Sequence, residues 1–246
     1  MAVEILIVFF VTFFVRLWST LVGGGGAITI PMVFFMGLPQ DQTIATNRLS
    51  AVSNLFTLIK FNQLGLVKWK LGLFLSIFTG IGAAFGSFLV VVADNAIMEK
   101  GIGIILLLSV VMLFFKNDAG VIERKIKITK LRNFGGAIMM TILGAIGGFF
   151  SSTGVWFSYI YLYYYGLTFL QTAATRKLSG AAIVLVSLAI FIPAGLIVWP
   201  LGIAMFVGGG IGAWISAKYS TKLGNKWIRN IFAVVVIISA LKILLF

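Results

Sequence analysis

Charged side chains occupy matched positions in two halves of an otherwise apolar chain. The segment GLPQDQTIATNRLS at residues 37–50 aligns with GLTFLQTAATRKLS at residues 166–179, with eight identities in fourteen positions. In this alignment Arg48 corresponds to Lys177, and Asn47 corresponds to Arg176. Guanidinium and ammonium groups donate charge-assisted hydrogen bonds to oxyanions. Cations at matched positions, each beside an Ala-Thr pair, therefore predict an anion site shared by the two copies.

A second candidate set opens the short apolar segment that precedes each motif. Gly23–Gly26 leave backbone N–H groups open to a ligand, and a helix that begins there adds a positive dipole end. The equivalent place in the second copy is SSTG, in which Gly154 aligns with Gly25 and the other residues carry hydroxyl groups. The alternative is that the glycines allow close helix packing, as we expect for Gly82, Gly86 and 208–212.

A polar stripe continues from the cations along the third apolar segment of each copy. Thr46, Ser50, Ser53 and Thr57 recur at helical spacing, and Thr175 with Ser179 begin a similar stripe. Snorkelling at a membrane surface explains Arg16 and Lys60 as well as a functional role does. The residues predicted to bind substrate are Gly23, Gly24, Gly25, Gly26, Thr46, Asn47, Arg48, Ser50, Ser151, Ser152, Thr153, Gly154, Thr175, Arg176, Lys177 and Ser179.

The amino-acid composition indicates that these residues lie within a lipid bilayer. The 246 residues are 61% hydrophobic and only 10% charged, and apolar segments of about 20 residues recur throughout. This is typical of a polytopic α-helical membrane protein in contact with the lipid bilayer. The net charge of +13 does not indicate nucleic acid, because the basic residues lie between the apolar segments, where membrane orientation requires them. Cysteine and histidine are absent, so we predict no metal, no cofactor and no thiol or histidine catalysis.

Each copy contains about five apolar elements that must position the motifs. They are predicted at 2–22, 26–37, 43–64, 70–93 and 97–115, then at 134–151, 154–166, 172–193, 198–218 and 227–246. The second element of each copy is short: eleven helical residues rise about 16 Å, roughly half of a bilayer core. Each therefore either forms a broken or re-entrant pair with the first element or crosses where the bilayer is thin. Short or broken helices near the midplane are the expected result.

Lysine and arginine set the predicted orientation. Residues 116–132 carry six basic and two acidic residues, which predicts a cytoplasmic linker. The basic loop near Lys68 is predicted to be cytoplasmic, whereas its counterpart before Trp199 is uncharged and should lie outside. Equivalent loops thus fall on opposite sides, which predicts two inverted-topology repeats with both termini outside. We divide the chain into a first repeat at 1–115, a linker at 116–133 and a second repeat at 134–246.

These motifs resemble the sulfite exporter TauE/SafE family. The resemblance rests on the GGGG turn, the GLP that ends the short element, ATNRLS with a later GLVKW, and the duplicated ATRKLS with GLIVW. It covers nearly the whole chain and is closest over residues 23–69. It implies two membrane repeats that move sulfur-containing anions, such as sulfite or sulfoacetate, across a bacterial inner membrane. The SSTG turn departs from the glycine cluster of the family and changes the donors at one half of the site.

The resulting expectation is a secondary transporter, and specifically an exporter, of a small anion such as sulfite, sulfoacetate or another organosulfonate. An accessory subunit of a membrane complex is the alternative, but a scaffold does not need matched intramembrane cations. A membrane enzyme is less favoured because His, Cys and clustered intramembrane acids are missing. The sequence predicts neither the oligomeric state nor a coupling ion.

Overall fold

The computed structural model describes residues 2–94, 120, 122–124, 126–151 and 153–245, and the regular elements in those ranges are helical. The predicted element at 97–115 lies outside the described residues, as do Ser152 and part of the linker. A π-helical turn, Ile160–Tyr164, directly follows the short helix Gly154–Tyr159. The helices are α1 (Ala2–Val22), α2 (Gly26–Phe34), α3 (Gln40–Ala51), α4 (Ser53–Gln63), α5 (Trp69–Val92), α6 (Lys130–Phe150), α7 (Gly154–Tyr159), α8 (Phe169–Phe191) and α9 (Trp199–Leu245).

Five helices in the described ranges are long and apolar enough to cross a membrane, namely α1, α5, α6, α8 and the Trp199–Asn225 part of α9. Helix α9 is interrupted at Gly224, whose φ of 70° is left-handed, so the predicted elements 198–218 and 227–246 lie on either side of this glycine. A bilayer cannot hydrogen-bond exposed backbone, which makes helices the required form of such apolar segments. The predicted all-α polytopic membrane fold is confirmed.

The second element of each copy is short, as predicted. Helix α2 has nine residues, a rise of about 14 Å, and α7 has six residues before the π-helical turn. Both segments end at equivalent glycines, Gly37 with φ 88° and Gly166 with φ 75°, which is a conformation that favours glycine. Neither segment is long enough to span a hydrocarbon core of about 30 Å.

The third element differs between the copies. The sequence predicted one helix over 43–64, but the structure has two, α3 and α4, separated at Val52. The hydroxyls of Ser50 and Ser53 donate to the carbonyls of Asn47 and Ser50, three residues earlier. Such back-bonding competes with the helical ladder and bends helices. In the second copy the corresponding helix α8 continues unbroken for 23 residues.

The long helices pack between copies, α1 against α9 and α5 against α6. Glycines make both contacts close. A Cβ on Gly82 would overlap the Thr141 carbonyl of α6, and a Cβ on Gly212 would overlap the Phe13 carbonyl of α1. Small residues permit this backbone approach in membranes. The packing role predicted for these glycines agrees with the structure, whereas nothing lies within 4 Å of a Cβ built on Gly210.

The outer face of α5 shows how the bundle meets lipid. Ile77, Ile81, Phe85 and Phe88 follow one another at spacings of three or four residues and are all exposed. The opposite face presents small residues to α6 and α8. Helix α8 contacts α3, α4 and α5 and is the central element of the fold. Polar groups on its inner face are therefore held away from lipid, in the middle of the molecule.

Candidate functional site

A cavity of about 90 Å³ lies where both copies meet, between the turns before α2 and α7 and the helices α1, α3, α4, α7 and α8. Eleven of the sixteen predicted site residues line it. They are Gly23, Gly24, Gly25, Gly26, Asn47, Arg48, Ser151, Thr153, Gly154, Arg176 and Lys177. Thr46, Ser50, Thr175 and Ser179 do not line the cavity, and Ser152 lies outside the described residues.

The two turns are in direct backbone contact. A Cβ built on Gly23 would lie 2.6 Å from the carbonyl carbon of Gly154, and one built on Gly154 would lie 3.1 Å from the Gly24 nitrogen. Gly23 and Gly24 both have left-handed φ values, 100° and 77°. A Cβ built on Gly25 would point towards α1 instead and would lie 2.7 Å from Ser19 Oγ. Gly25 is therefore a packing position as well as part of the cavity wall.

Arg48 and Arg176 each bind the end of the first helix of the other copy. Arg48 is 3% exposed and donates to the carbonyls of Gly147 and Gly148, at 2.5 and 2.6 Å, near the end of α6. Arg176 is 8% exposed and donates to the carbonyls of Ser19 and Thr20, at 3.1 and 2.9 Å, near the end of α1. The last carbonyls of a helix form its negative dipole end. Those of Ser19 and Gly147 also accept from the backbone N–H groups of Gly23 and Ser151. The two arginines bind these neutral groups without losing their net charge.

The other two cations have neutral partners as well. Lys177 is 2% exposed, and its Nζ donates to Asn54 Oδ1 at 3.1 Å. Arg16 donates to Ser50 Oγ at 2.8 Å and lines the cavity from α1. The sequence supports snorkelling and a functional role equally for Arg16, and the structure places this side chain in the cavity wall. Its spacing to Ser19 and Gly23, three and seven residues, is the one-face pattern that indicates this position.

The cavity is electropositive because its charges are not balanced by acids. Arg16, Arg48, Arg176 and Lys177 line it, and the described lining contains no carboxylate. The Nε atoms of the three arginines are buried without a hydrogen-bond partner. Burying a charge is costly unless it is paired. Arginine and lysine donors surrounding a small cavity are the chemistry that an oxyanion requires.

Asn47 connects α2 with the turn before α7 through hydrogen bonds. Its Oδ1 accepts from Thr29 Oγ1 at 2.7 Å, and its Nδ2 lies 3.4 Å from Ser151 Oγ, at the end of α6. Ser151 has a left-handed φ of 60°, the one such value at a non-glycine position in the described part of the chain. Non-glycine residues adopt this conformation uncommonly, and such residues concentrate at functional sites.

The predicted hydroxyls outside the cavity have structural partners. Thr46 Oγ1 accepts from the backbone N–H of Val198, which precedes α9, and Thr175 Oγ1 accepts from the N–H of Lys68, which precedes α5. Each threonine of the Ala-Thr pair therefore holds the start of a helix in the opposite copy. Ser179 Oγ is 2.9 Å from the hydroxyl of Tyr161.

The described linker residues contact both copies at the surface. Glu123 pairs with Lys68 at 2.9 Å and accepts from Gln171 Nε2 at 2.7 Å. The hydrogen bond from Gln171, followed by that from Lys68, lowers the pKa of the Glu123 carboxyl. A wider cleft of about 700 Å³ lies between this linker and the start of α5. It combines acidic and basic groups, so it lacks the uniform charge of the central cavity.

Comparison with known proteins agrees with this architecture. The family model described as sulfite exporter TauE/SafE matches residues 8–243. A "Probable membrane transporter protein" of Haemophilus influenzae (strain Rd) is 30% identical over 225 residues, which cover 91% of this chain and 88% of the relative. The "Probable membrane transporter protein YfcA" of Escherichia coli K12 is 24% identical over 97% of this chain and 88% of its own length. No solved structure matches the chain at a significant level.

Proposed function

Because the chain belongs to the sulfite exporter TauE/SafE family and is thus a membrane transporter, we propose that it exports a small anion through the central cavity. The proposed substrates are sulfite, sulfoacetate or another organosulfonate. One observation carries the proposal: Arg16, Arg48, Arg176 and Lys177 surround one cavity whose described lining contains no carboxylate. The proposed substrate-binding residues are the eleven predicted residues that line this cavity, together with Arg16.

An anion must exchange its hydration shell for protein donors before it can cross the bilayer. The cationic side chains and the N–H groups in the first turn of α2 offer such donors. The cavity volume of about 90 Å³ is several times the roughly 10–15 Å³ that a cavity needs to hold one water. The space therefore suits a small oxyanion rather than a large amphipathic substrate. Substrate sites at the interface of two repeats are typical of secondary transporters.

The membrane potential supplies a driving force for export. At 100 mV, negative inside, each negative charge that moves outward gains about 2.3 kcal/mol. All six acidic residues are predicted to lie at loops or helix ends, and none of the four described ones lines the cavity. A carboxylate proton relay is therefore not required to explain outward movement of an anion.

Flux measurement in liposomes tests this proposal. The purified chain alone is reconstituted into liposomes, and the liposomes are loaded with radiolabelled sulfite or sulfoacetate. Efflux of the label is followed while an inside-negative potential is imposed. We expect anion efflux that increases with the potential, and no efflux of a neutral sugar of similar size. Protein-free liposomes and the Lys60→Gln variant provide the controls. Absence of flux and of anion-dependent thermal stabilisation would favour an accessory subunit instead.

A further inference from the structure

We propose that Lys177 is a proton-binding group of the transport site, so that an anion binds together with a proton on the lysine Nζ. The inference rests on the proposed function, since it concerns the same cavity. It adds a coupling ion and a consequence for the charge of the substrate. The group lies on α8, the central helix, and is only 2% exposed.

The surroundings of Lys177 are what distinguish it from an ordinary buried cation. Arg16 on α1, Arg48 on α3 and Arg176 on α8 line the same cavity, and α4 contributes the neutral Asn54. Tyr161, after α7, directs its hydroxyl to Ser179. Helices α5, α6 and α9 contribute no residue to the described lining. Lys177 thus shares the cavity with three other cations, and the described lining contains no acidic partner for it.

Only one of the four cations can exchange a proton readily. Arginine stays protonated in proteins, whereas a buried lysine changes its protonation state readily. Burial and neighbouring positive charge both disfavour an ammonium group, and a bound anion favours it. Binding an anion and binding a proton at Lys177 should therefore strengthen one another.

The Asn54 amide can form a hydrogen bond with Lys177 in either protonation state of the lysine. Its Oδ1 accepts from Nζ at 3.1 Å. The amide also carries an NH₂ group, which can donate to the lone pair of a neutral amine after the side chain turns over. An aspartate at this position would stabilise the ammonium permanently. The neutral amide leaves the proton exchangeable.

The proton balance is simple. A neutral amine, a proton and an anion on one side give an ammonium–anion pair in the cavity, and release on the other side returns all three. One positive charge then moves with each anion. A monoanion moves without net charge, whereas a dianion still carries one negative charge outward. If the inference holds, an inside-negative potential drives the export of dianions but not of monoanions, because only a dianion still carries net negative charge.

Calorimetric titration counts the protons directly. Sulfoacetate, which stays ionised around neutral pH, and sulfite are titrated into the purified protein in buffers of different ionisation enthalpy. The protonation of free sulfite is measured separately. We expect proton uptake upon binding, with an anion affinity that weakens by up to tenfold per pH unit on the alkaline side. Lys177→Arg should still bind the anion, but without proton uptake and with an affinity independent of pH.

A second variant keeps the test usable if Lys177→Arg does not fold. Asn54→Asp should also abolish proton uptake, because its carboxylate keeps Lys177 charged, and it should weaken anion binding. Anion binding to the natural protein without proton uptake would overturn the inference and leave the proposed function intact. Proton uptake that persists in either variant would assign the proton to another group and overturn it too. If neither anion binds the natural protein, the proposed function fails, and the inference fails with it.

Discussion

Single residues in this molecule perform structural and proposed functional roles together. Arg48 stabilises the end of α6 through two carbonyls and also faces the cavity. Arg176 has the same combination at the end of α1. Since the carbonyls are neutral groups, both arginines retain a positive charge for a ligand. Loss of either arginine should therefore change stability and anion affinity, two quantities that must be measured separately.

Removing a cavity cation should weaken anion binding. Charge-assisted hydrogen bonds contribute roughly 1.5–3 kcal/mol each, so Arg48→Gln and Lys177→Gln should each raise the Kd by about tenfold or more. Lys60→Gln is the matched control, because Lys60 donates to Gln63 and does not line the cavity. Isothermal titration with sulfite provides the measurement. Equal, small effects in all three variants would contradict a binding role for Arg48 and Lys177.

At the scale of elements, the motif threonines join a helix of one copy to a helix start of the other. Thr46→Val and Thr175→Val keep the shape of the side chain but remove the acceptor for the N–H groups of Val198 and Lys68. A lost hydrogen bond of this kind costs about 1 kcal/mol. Both variants should therefore unfold at a lower temperature while their anion affinity stays unchanged.

The matched control is Thr141→Val, since the Thr141 hydroxyl donates to the Ala137 carbonyl within its own helix. This variant should leave the unfolding temperature nearly unchanged. A change of tenfold or more in anion affinity in the Thr46 or Thr175 variant would instead indicate that the hydroxyl contacts the substrate, as the sequence motif first suggested.

Close helix packing gives a second test at this scale. A methyl group at Gly212 would overlap the Phe13 carbonyl of α1, whereas one at Gly210, half a turn away, has nothing within 4 Å. Overpacking costs roughly 1–3 kcal/mol, so Gly212→Ala should lower the midpoint of thermal unfolding. Gly210→Ala should leave it unchanged or raise it, because alanine favours a helix by up to about 1 kcal/mol. Similar midpoints for the two variants would show that α1 and α9 do not pack as described.

At the scale of the whole molecule, the described helices of the two predicted copies exchange equivalent contacts. Thr46 and Thr175 each contact the opposite copy, as do Arg48 and Arg176. Because each copy supplies part of the other's support and part of the cavity wall, we do not expect either copy to form the cavity alone. Inverted orientation of the copies, with both termini outside, remains a prediction from the distribution of lysine and arginine.

Cysteine labelling tests that orientation in a chain that has no cysteine of its own. Single cysteines replace Ala2, Gln63, Ile122 and Ala194, which are all exposed. A membrane-impermeant thiol reagent added to intact cells should label positions 2 and 194, and should reach positions 63 and 122 only after the membrane is permeabilised. Labelling of positions 2 and 122 from the same side would contradict the inverted arrangement.

The sequence by itself determined the class of protein, most of its helices and the candidate residues. Helix α1 begins and ends where the apolar run at 2–22 does, and α5 shifts by one residue from 70–93. These features are local: an apolar run of about 20 residues must be helical in a bilayer, and the matched Arg48 and Lys177 are visible in the alignment. Glycines at Gly37 and Gly166 likewise ended the short elements at the expected places.

Only the tertiary structure decided which polar groups meet. Arg48 reaches carbonyls 99 and 100 positions away in the chain, and any buried cation could have satisfied that helix end. Arg16 lines the cavity because α1 packs on α9, which turns this face inward. The break at Val52 lies between two serines whose hydroxyls bond to carbonyls three residues earlier, although they could have faced a neighbouring helix instead. Patterns of local hydrophobicity do not encode such choices, because each is settled by competition among partners that are distant in sequence.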